Sequence, residues 1–328
     1  MHILLFGGTD LSLMIADHLQ SMGFSPVGVV YVARSFPISY QPGGVTNVRY
    51  ADLASWAEQR GIPAHHYKTP KEALSFASSV RADFGLLAGW FHLVPRVLRD
   101  HFTLGCAGVH ASLLPKFRGG APLNWALLAG ETTTGVSLFE LGDEVDDGPI
   151  YGQQRIPIGP NTRIGDLVDA AHRAALEIVS ECIPALAEGR LAPKPQAGTP
   201  SYCLQRTPDD GWIDWRRPTA QIDRLVRAVG RPYPGAATVL GGQKLTVWGA
   251  DPVPDVQVYG VPGQITRLPV DDDPCVVTGD GVLAIREATD MHGESVLGAL
   301  RKASQSRLGA PVDVATHPPL RIGAPPKS

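Results

Sequence analysis

The chain has 328 residues, 44% of them hydrophobic, and a formal net charge of −3. That length supports one large core and a second, smaller one, and the slightly acidic balance excludes recruitment of nucleic acid by bulk electrostatics, leaving only a local basic patch open. Pro (29) and Gly (36) are frequent but scattered between periodic segments, which marks many turns and not a disordered chain.

"HILLF" (2–6) reads as a buried strand. No charged segment precedes it and it is too short to span a bilayer, so a soluble, cytoplasmic protein without membrane association is expected. "DLSLMIADHLQSMG" (10–23) is predicted helical, with Leu11, Met14, Ile15, His18 and Leu19 on one face and Gly23 as its stop. "PVGVVYV" (26–32) is the next strand, and helices follow over 48–61 and 69–81, the latter with Thr69 as N-cap and Pro70 at the first helical position. "DFGLLAG" (83–89) and "LGCAGVH" (104–110) are strands. This alternation implies an α/β fold with a doubly wound, mostly parallel sheet. "TTGVSLFEL" (133–141) and "IYGQQRIPI" (150–158) are further strands, and 162–189 is the clearest amphipathic helix.

The pattern then changes. Residues 190–205 hold three prolines and no periodicity and read as a linker. A helix over 219–230 and several turn-rich strands follow, which fits a smaller β-rich, barrel-like domain. The expected organisation is a catalytic domain (1–189), a linker (190–205), a small C-terminal domain (206–300) and a Pro-rich tail (301–328). No internal repeat is present.

The four cysteines, Cys106, Cys182, Cys203 and Cys275, form no CxxC pair and read as buried thiols. His65 and His66 are adjacent on an extended segment, so they point opposite ways, and no HxxxH or HExxH spacing exists; no metal site is expected. "FGGTD" (6–10) lacks the GxGxxG fingerprint and reads as a tight turn before a helix, without a dinucleotide.

His110 ends a predicted strand at its carboxyl end, the edge where open α/β sheets bind ligands. Ser112, Lys116 and Arg118 follow in a rigid Pro- and Gly-containing loop, and Arg118 suits bidentate recognition of an anionic group. "ELGDEVDDGPI" (140–150) carries five carboxylates. Asp143 and Glu144 read from the residues alone as a solvated loop, whereas Asp146 and Asp147 precede a Gly-Pro turn from which a carboxylate can face His110 for acid–base work. Ser112 lies in no GxSxG elbow, which argues against a serine hydrolase.

"HASLLPKFRGGAPLNWALLAGETTTGVSL" followed by "DEVDDGPI" resembles the 10-formyltetrahydrofolate-dependent formyltransferases, a family that includes methionyl-tRNA formyltransferase and the amino-sugar N-formyltransferases. The likeness continues through 206–250, and "APLNW" and "GGQKLTVW" are nearest the amino-sugar branch. It implies a Rossmann-like catalytic domain and formyl transfer from 10-formyltetrahydrofolate to a primary amine. His110 and Asp146 match the family's catalytic His and Asp, and Ser112, Lys116 and Arg118 fall on the acceptor side. The resemblance places the folate against Trp90, Phe91, His92, Leu93 and Asp143. At the position of the family's catalytic Asn stands Gly108. Losing one oxyanion donor typically costs about 10²–10³ in rate. Three accounts of Gly108 stay open: a backbone N–H or ordered water serves as donor, the extra room admits a bulkier donor or acceptor, or the pocket persists without efficient catalysis. Asn124 is read as a helix residue with another job. Between strands two and three, residues 33–49 offer only Arg34 and Arg49, fewer phosphate contacts than an RNA-binding loop needs. The expected acceptor is therefore a small-molecule amine, foremost a nucleotide-linked amino sugar, with tRNA disfavoured and a homodimer open.

Overall fold

The computed structural model describes residues 1–38 and 41–310. They form two compact units, the first made of 1–122, 133–157 and 168–204 and the second of 123–132, 158–167 and 205 onward. Residues 311–328, most of the Pro-rich tail, lie outside the described residues.

In chain order the first unit holds β1 (Ile3–Gly7), α1 (Asp10–Ser21), β2 (Gly28–Tyr31), β3 (Ser35–Ile38), β4 (Gln41–Thr46), α2 (Leu53–Glu58), β5 (Ala64–His66), α3 (Pro70–Ser79), β6 (Phe84–Ala88), α4 (Arg96–Arg99), β7 (Cys106–His110) and β8 (Arg118–Gly119). α5 (Pro122–Ala129) falls almost wholly in the second unit. β9 (Thr133–Glu140) and β10 (Ile150–Pro157) return to the first, α6 (Ile164–Ala187) joins it from Val168, and β11 (Tyr202–Cys203) completes it.

The central sheet runs β10-β9-β7-β6-β1-β2-β5. The five strands from β7 to β5 are parallel; β9 is antiparallel to β7, and β10 to β9. All five residues of β1 and of β6 are buried, as expected of parallel strands covered on both faces, which read as continuous apolar runs. From β1 the chain winds outward to β2 and β5, then returns to β6 and β7 on the other side. The topological switch point therefore lies between the carboxyl ends of β1 and β6, where open α/β sheets form their ligand crevice.

Local chemistry explains the element ends. Thr69 caps α3 by accepting from Glu72 N at 3.2 Å, with Pro70 in the first turn. α1 buries Ser12, Ile15, Ala16 and Leu19 and leaves Met14 exposed, a face rotated from the one predicted. Ser12 accounts for the rotation: its hydroxyl accepts from Gly8 N (2.9 Å) and Thr9 N (3.0 Å) and donates to Ala88 O (2.6 Å). The turn after β1 thus satisfies its own N–H groups. The helix predicted over 48–61 is only Leu53–Glu58, because Asp52 caps it at Ser55 N and Arg49 is drawn to Asp10.

The second unit carries a 3₁₀ turn (Pro208–Gly211), α7 (Thr219–Val229), β12 (Ala236–Leu240), β13 (Gln243–Pro252), β14 (Ile265–Leu268), β15 (Asp271–Val277), β16 (Val282–Thr289) and α8 (Leu297–Lys302). Its antiparallel sheet runs β12-β13-β16-β15-β14. Residues 305–309 bond both edges: Ile265 N donates to Ser306 O (2.8 Å) and Val239 N to Gly309 O (2.8 Å). This bridging gives the β-rich unit its barrel-like character. Its core includes Ile213, Trp215, Val226, Val247 and Ile285.

Candidate active site

β7 delivers His110 to the carboxyl edge of the sheet with its side chain 10% exposed. Its Nε2 lies 2.7 Å from Phe117 O. A carbonyl only accepts, so Nε2–H donates there. Nδ1 faces the Asp146 carboxylate, with Oδ2 at 3.4 Å. The same Oδ2 accepts from Gly119 N at 2.8 Å. Phe117 is held at φ +56°, backbone that a bulky residue keeps only when surrounding contacts impose it, and Asp146 is at φ +50°, which Asp tolerates better.

Those contacts come from the segment that reads in the sequence as a linker. Ser201 O accepts from Arg118 N, and Cys203 O from Gly120 N, each at 2.9 Å. Ser201 Oγ accepts from Phe117 N at 2.9 Å. β11 so forms a small parallel ladder with β8. Gly119 has φ +101°, and a Cβ there would stand 2.3 Å from Cys203 O, so only glycine fits this approach. Gln196 donates to Asp146 O and Gly148 O, both at 2.8 Å, and accepts from Arg118 Nε and Nη2 at 3.2 and 2.7 Å.

His110, Asp146 and Arg118 are thus joined through one set of bonds. Ser112 is wholly buried; its hydroxyl donates to Lys116 O (2.6 Å) and so holds the loop. Lys116 is exposed on that loop. Asn124 is engaged elsewhere, donating to Ala228 O at 2.7 Å within the second unit.

Gly108 sits two residues before His110 and faces the same side of the strand. Leu87 and Phe139 flank it in the neighbouring strands, so its backbone polar groups face strands and not the ligand side. A Cβ at this position would meet Phe139 Cε1 at 3.0 Å and Leu141 Cδ2 at 3.1 Å. The space beside Gly108 is filled with hydrocarbon.

At the switch point, Trp90 stands edge-on to Phe6 (5.4 Å) and Tyr67 (4.9 Å). His92 lies 4.8 Å from the Tyr67 ring, and Phe91 5.2 Å from Phe36. Burial pushes the His92 imidazole below its ordinary range. Trp90 Nε1 is buried with no hydrogen-bond partner among the described residues, an orphaned donor of the kind a ligand acceptor satisfies. Leu93 is largely exposed. Asp143 is exposed and bonded by the Arg99 guanidinium, which holds its carboxyl below the usual range. Aromatic walls with one free donor fit a flat heteroaromatic ring. Among the described residues no group of three or more His, Cys, Asp or Glu is arranged for a metal, and no helix is long and apolar enough to cross a membrane.

The sequence reading missed Gln196, Ser201, Phe139 and Arg99. Phe139 reads only as one apolar residue of the strand over 133–141, and the other three carry no periodic or motif signal, since each acts through contacts remote in the chain.

Residues 11–183 match the family described as formyl transferase, and 206–299 match the formyl transferase C-terminal domain. The fold is similar to HypX from Aquifex aeolicus, solved in complex with tetrahydrofolic acid (19% identity, 93% of this chain and 48% of that one, TM-score 0.62). It is also similar to an N-formyltransferase from Helicobacter canadensis, solved with folinic acid and dTDP-3-aminofucose (16% identity, 87% and 99% coverage, TM-score 0.64). A third likeness is methionyl-tRNA formyltransferase from Clostridium thermocellum (18% identity, 76% and 93% coverage, TM-score 0.51). At these identities the likeness is one of fold, and the chain spans about half the length of HypX. The match over 11–183 decides the family: the chain belongs to the formyl transferases.

Proposed function

We propose that this formyl transferase moves the formyl group of 10-formyltetrahydrofolate to the primary amine of a small molecule, foremost a nucleotide-linked amino sugar. The observation that carries the reading is the His110–Asp146 pair at the carboxyl edge of the sheet, bonded into the loop that presents Arg118. The pterin lies against Trp90, Phe91 and His92, where Trp90 Nε1 supplies a donor.

The amine nitrogen attacks the formyl carbon, and a new C–N bond forms as the carbonyl oxygen becomes an oxyanion. His110 takes the proton lost by the amine, directly or through water. The Asp146 carboxylate beside Nδ1 stabilises the imidazolium that forms, and Phe117 O on Nε2 fixes the ring's orientation. Collapse of the intermediate breaks the bond from carbon to N10 of the folate, and the proton passes to N10. Gly108 contributes no side-chain donor to the oxyanion.

Arg118 binds an anionic group of the acceptor, such as a phosphoryl oxygen. Two observations favour a small acceptor over tRNA. Arg49 is committed to Asp10, and Arg34 lies over the Tyr50 ring, so the basic residues of 33–49 are engaged within the chain. The test is incubation with 10-formyltetrahydrofolate and either UDP- and dTDP-linked amino sugars or initiator methionyl-tRNA, with N-formyl product read by mass spectrometry. Formylation of an amino sugar is the expected result; formylation of methionyl-tRNA alone would overturn the acceptor assignment.

A further inference from the structure

Gln196 lies in the aperiodic segment after α6, outside every motif, yet it makes four hydrogen bonds at the candidate site. Its Oε1 accepts from Arg118 Nε and Nη2 (3.2 and 2.7 Å). Its Nε2 donates to Asp146 O and Gly148 O (both 2.8 Å). One carboxamide therefore spans the guanidinium expected to bind the acceptor and the turn that aims Asp146 at His110. A second link runs alongside it, because Gly119 N, the residue after Arg118, donates to Asp146 Oδ2 at 2.8 Å.

The chemistry at position 196 is specific. An amide offers a neutral acceptor to Arg118, so this contact leaves the positive charge intact for an anionic ligand. A carboxylate there would neutralise the guanidinium and set its oxygen against two carbonyl oxygens, losing both donated bonds. An aliphatic side chain would leave Arg118 without this acceptor and the Asp146 turn without its donor. Asp146 is at φ +50°, which Asp tolerates better than most side chains, and the two bonds from Gln196 hold the carbonyls of this turn. Arg118 Nη1 also donates to Tyr202 OH (3.3 Å), and its guanidinium lies 5.8 Å from the Tyr202 ring centre. This ring is 65% exposed beside the cation, a surface for a planar group attached to the bound anion.

We propose that Gln196 is a positioning residue that couples a phosphoryl group bound at Arg118 to the placement of Asp146 against His110. The inference rests on the formyl-transfer reading for the identity of the acceptor, but the coupling itself is measurable without turnover. A phosphoryl oxygen takes the outward N–H groups of Arg118, the guanidinium is fixed, and through Gln196 the turn at 146–148 is fixed with it.

The test uses the full chain, its Gln196→Met and Gln196→Glu variants, and inorganic pyrophosphate, UDP and dTDP as probes. Amide hydrogen exchange is followed at Gly119 and over 143–148. In the wild type a diphosphate probe is expected to slow exchange in both places; in Gln196→Met the protection over 143–148 is lost. Absence of protection by all three probes in the wild type, or full protection in Gln196→Met, overturns the coupling. The kinetic arm uses whichever amino sugar is turned over. Gln196→Met should raise the acceptor KM and lower kcat, about tenfold or more together in kcat/KM, with KM for 10-formyltetrahydrofolate unchanged. Gln196→Glu should be at least as impaired. A merely structural role would move thermal stability and both KM values alike. If no amine is turned over but the exchange protection and its loss are seen, the formyl-transfer reading fails and the coupling stands. If turnover occurs and Gln196→Met leaves acceptor KM and kcat untouched, the coupling fails and formyl transfer stands.

Discussion

Placing asparagine at position 108 would test how the strand around the candidate site is packed. The added Cβ alone meets Phe139 Cε1 at 3.0 Å and Leu141 Cδ2 at 3.1 Å, so both side chains must yield by a few tenths of an ångström before the carboxamide is placed. Phe139 is 2% exposed and has little room to move. Overpacking of this kind costs about 1–3 kcal/mol. The Phe139 ring also stands edge-on to the His110 imidazole at 6.3 Å, so displacing it disturbs His110. Gly108→Asn should therefore lower stability, and Phe139→Leu, which frees volume on the same side, should recover part of the loss in the double variant. The assay is urea unfolding of wild type, both singles and the double, analysed as a cycle. A favourable coupling of about 1 kcal/mol is expected for side chains in direct contact. Restored formyl transfer is expected only in the double variant. A Gly108→Asn protein as stable as wild type, with no coupling to Phe139, would refute the packing argument.

His110→Ala and Asp146→Ala should each abolish product formation while leaving the circular dichroism spectrum intact; normal turnover in either variant removes these residues from the reaction. Burial pushes Cys182, Cys203 and Cys275 up to about 11, 12 and 11, and Cys106 further still. Thiolate is the reactive form, so a thiol reagent at pH 8 should find no fast-reacting cysteine until urea unfolds the chain; one fast equivalent in the native protein would count against this. Burial holds His92 and His172 below the ordinary histidine range near 6.5. Between those lowered values and 6.5 the unfolded chain binds more protons than the folded one, so stability rises with pH across that window and is lost on acidification. Thermal melts at pH 7.5 and 5.5 should show the drop, and His172→Gln should flatten it; an unchanged slope in that variant would contradict the assignment.

Much of the fold was legible because its signals are local. The buried runs at β1, β6 and β7, and the Thr69-Pro70 start of α3, follow from apolar period and capping chemistry within a few residues. The reversal of β9 was not legible, since strand direction depends on a partner and not on the strand's own pattern. α2 is shorter than its sequence pattern because Arg49 turns away from a helix to bond Asp10, 39 residues away. At the candidate site His110 and Arg118 were marked by strand end and loop chemistry, whereas turn chemistry left Asp146 and Asp147 equal and only the family resemblance singled out Asp146. Gln196 was not marked, because its partners stand 50 and 78 residues away in the chain. The filled space beside Gly108 depends likewise on Phe139, a residue of a neighbouring strand.

The central claim is that this formyl transferase acts on a small amine through His110 and Asp146 without a donor side chain at position 108. The most direct measurement is the rate of tetrahydrofolate release from 10-formyltetrahydrofolate in the presence of nucleotide-linked amino sugars, for wild type and His110→Ala side by side. Acceptor-dependent release by the wild type that vanishes in His110→Ala is the predicted result. Release that ignores the acceptor, or that persists in His110→Ala, would contradict it.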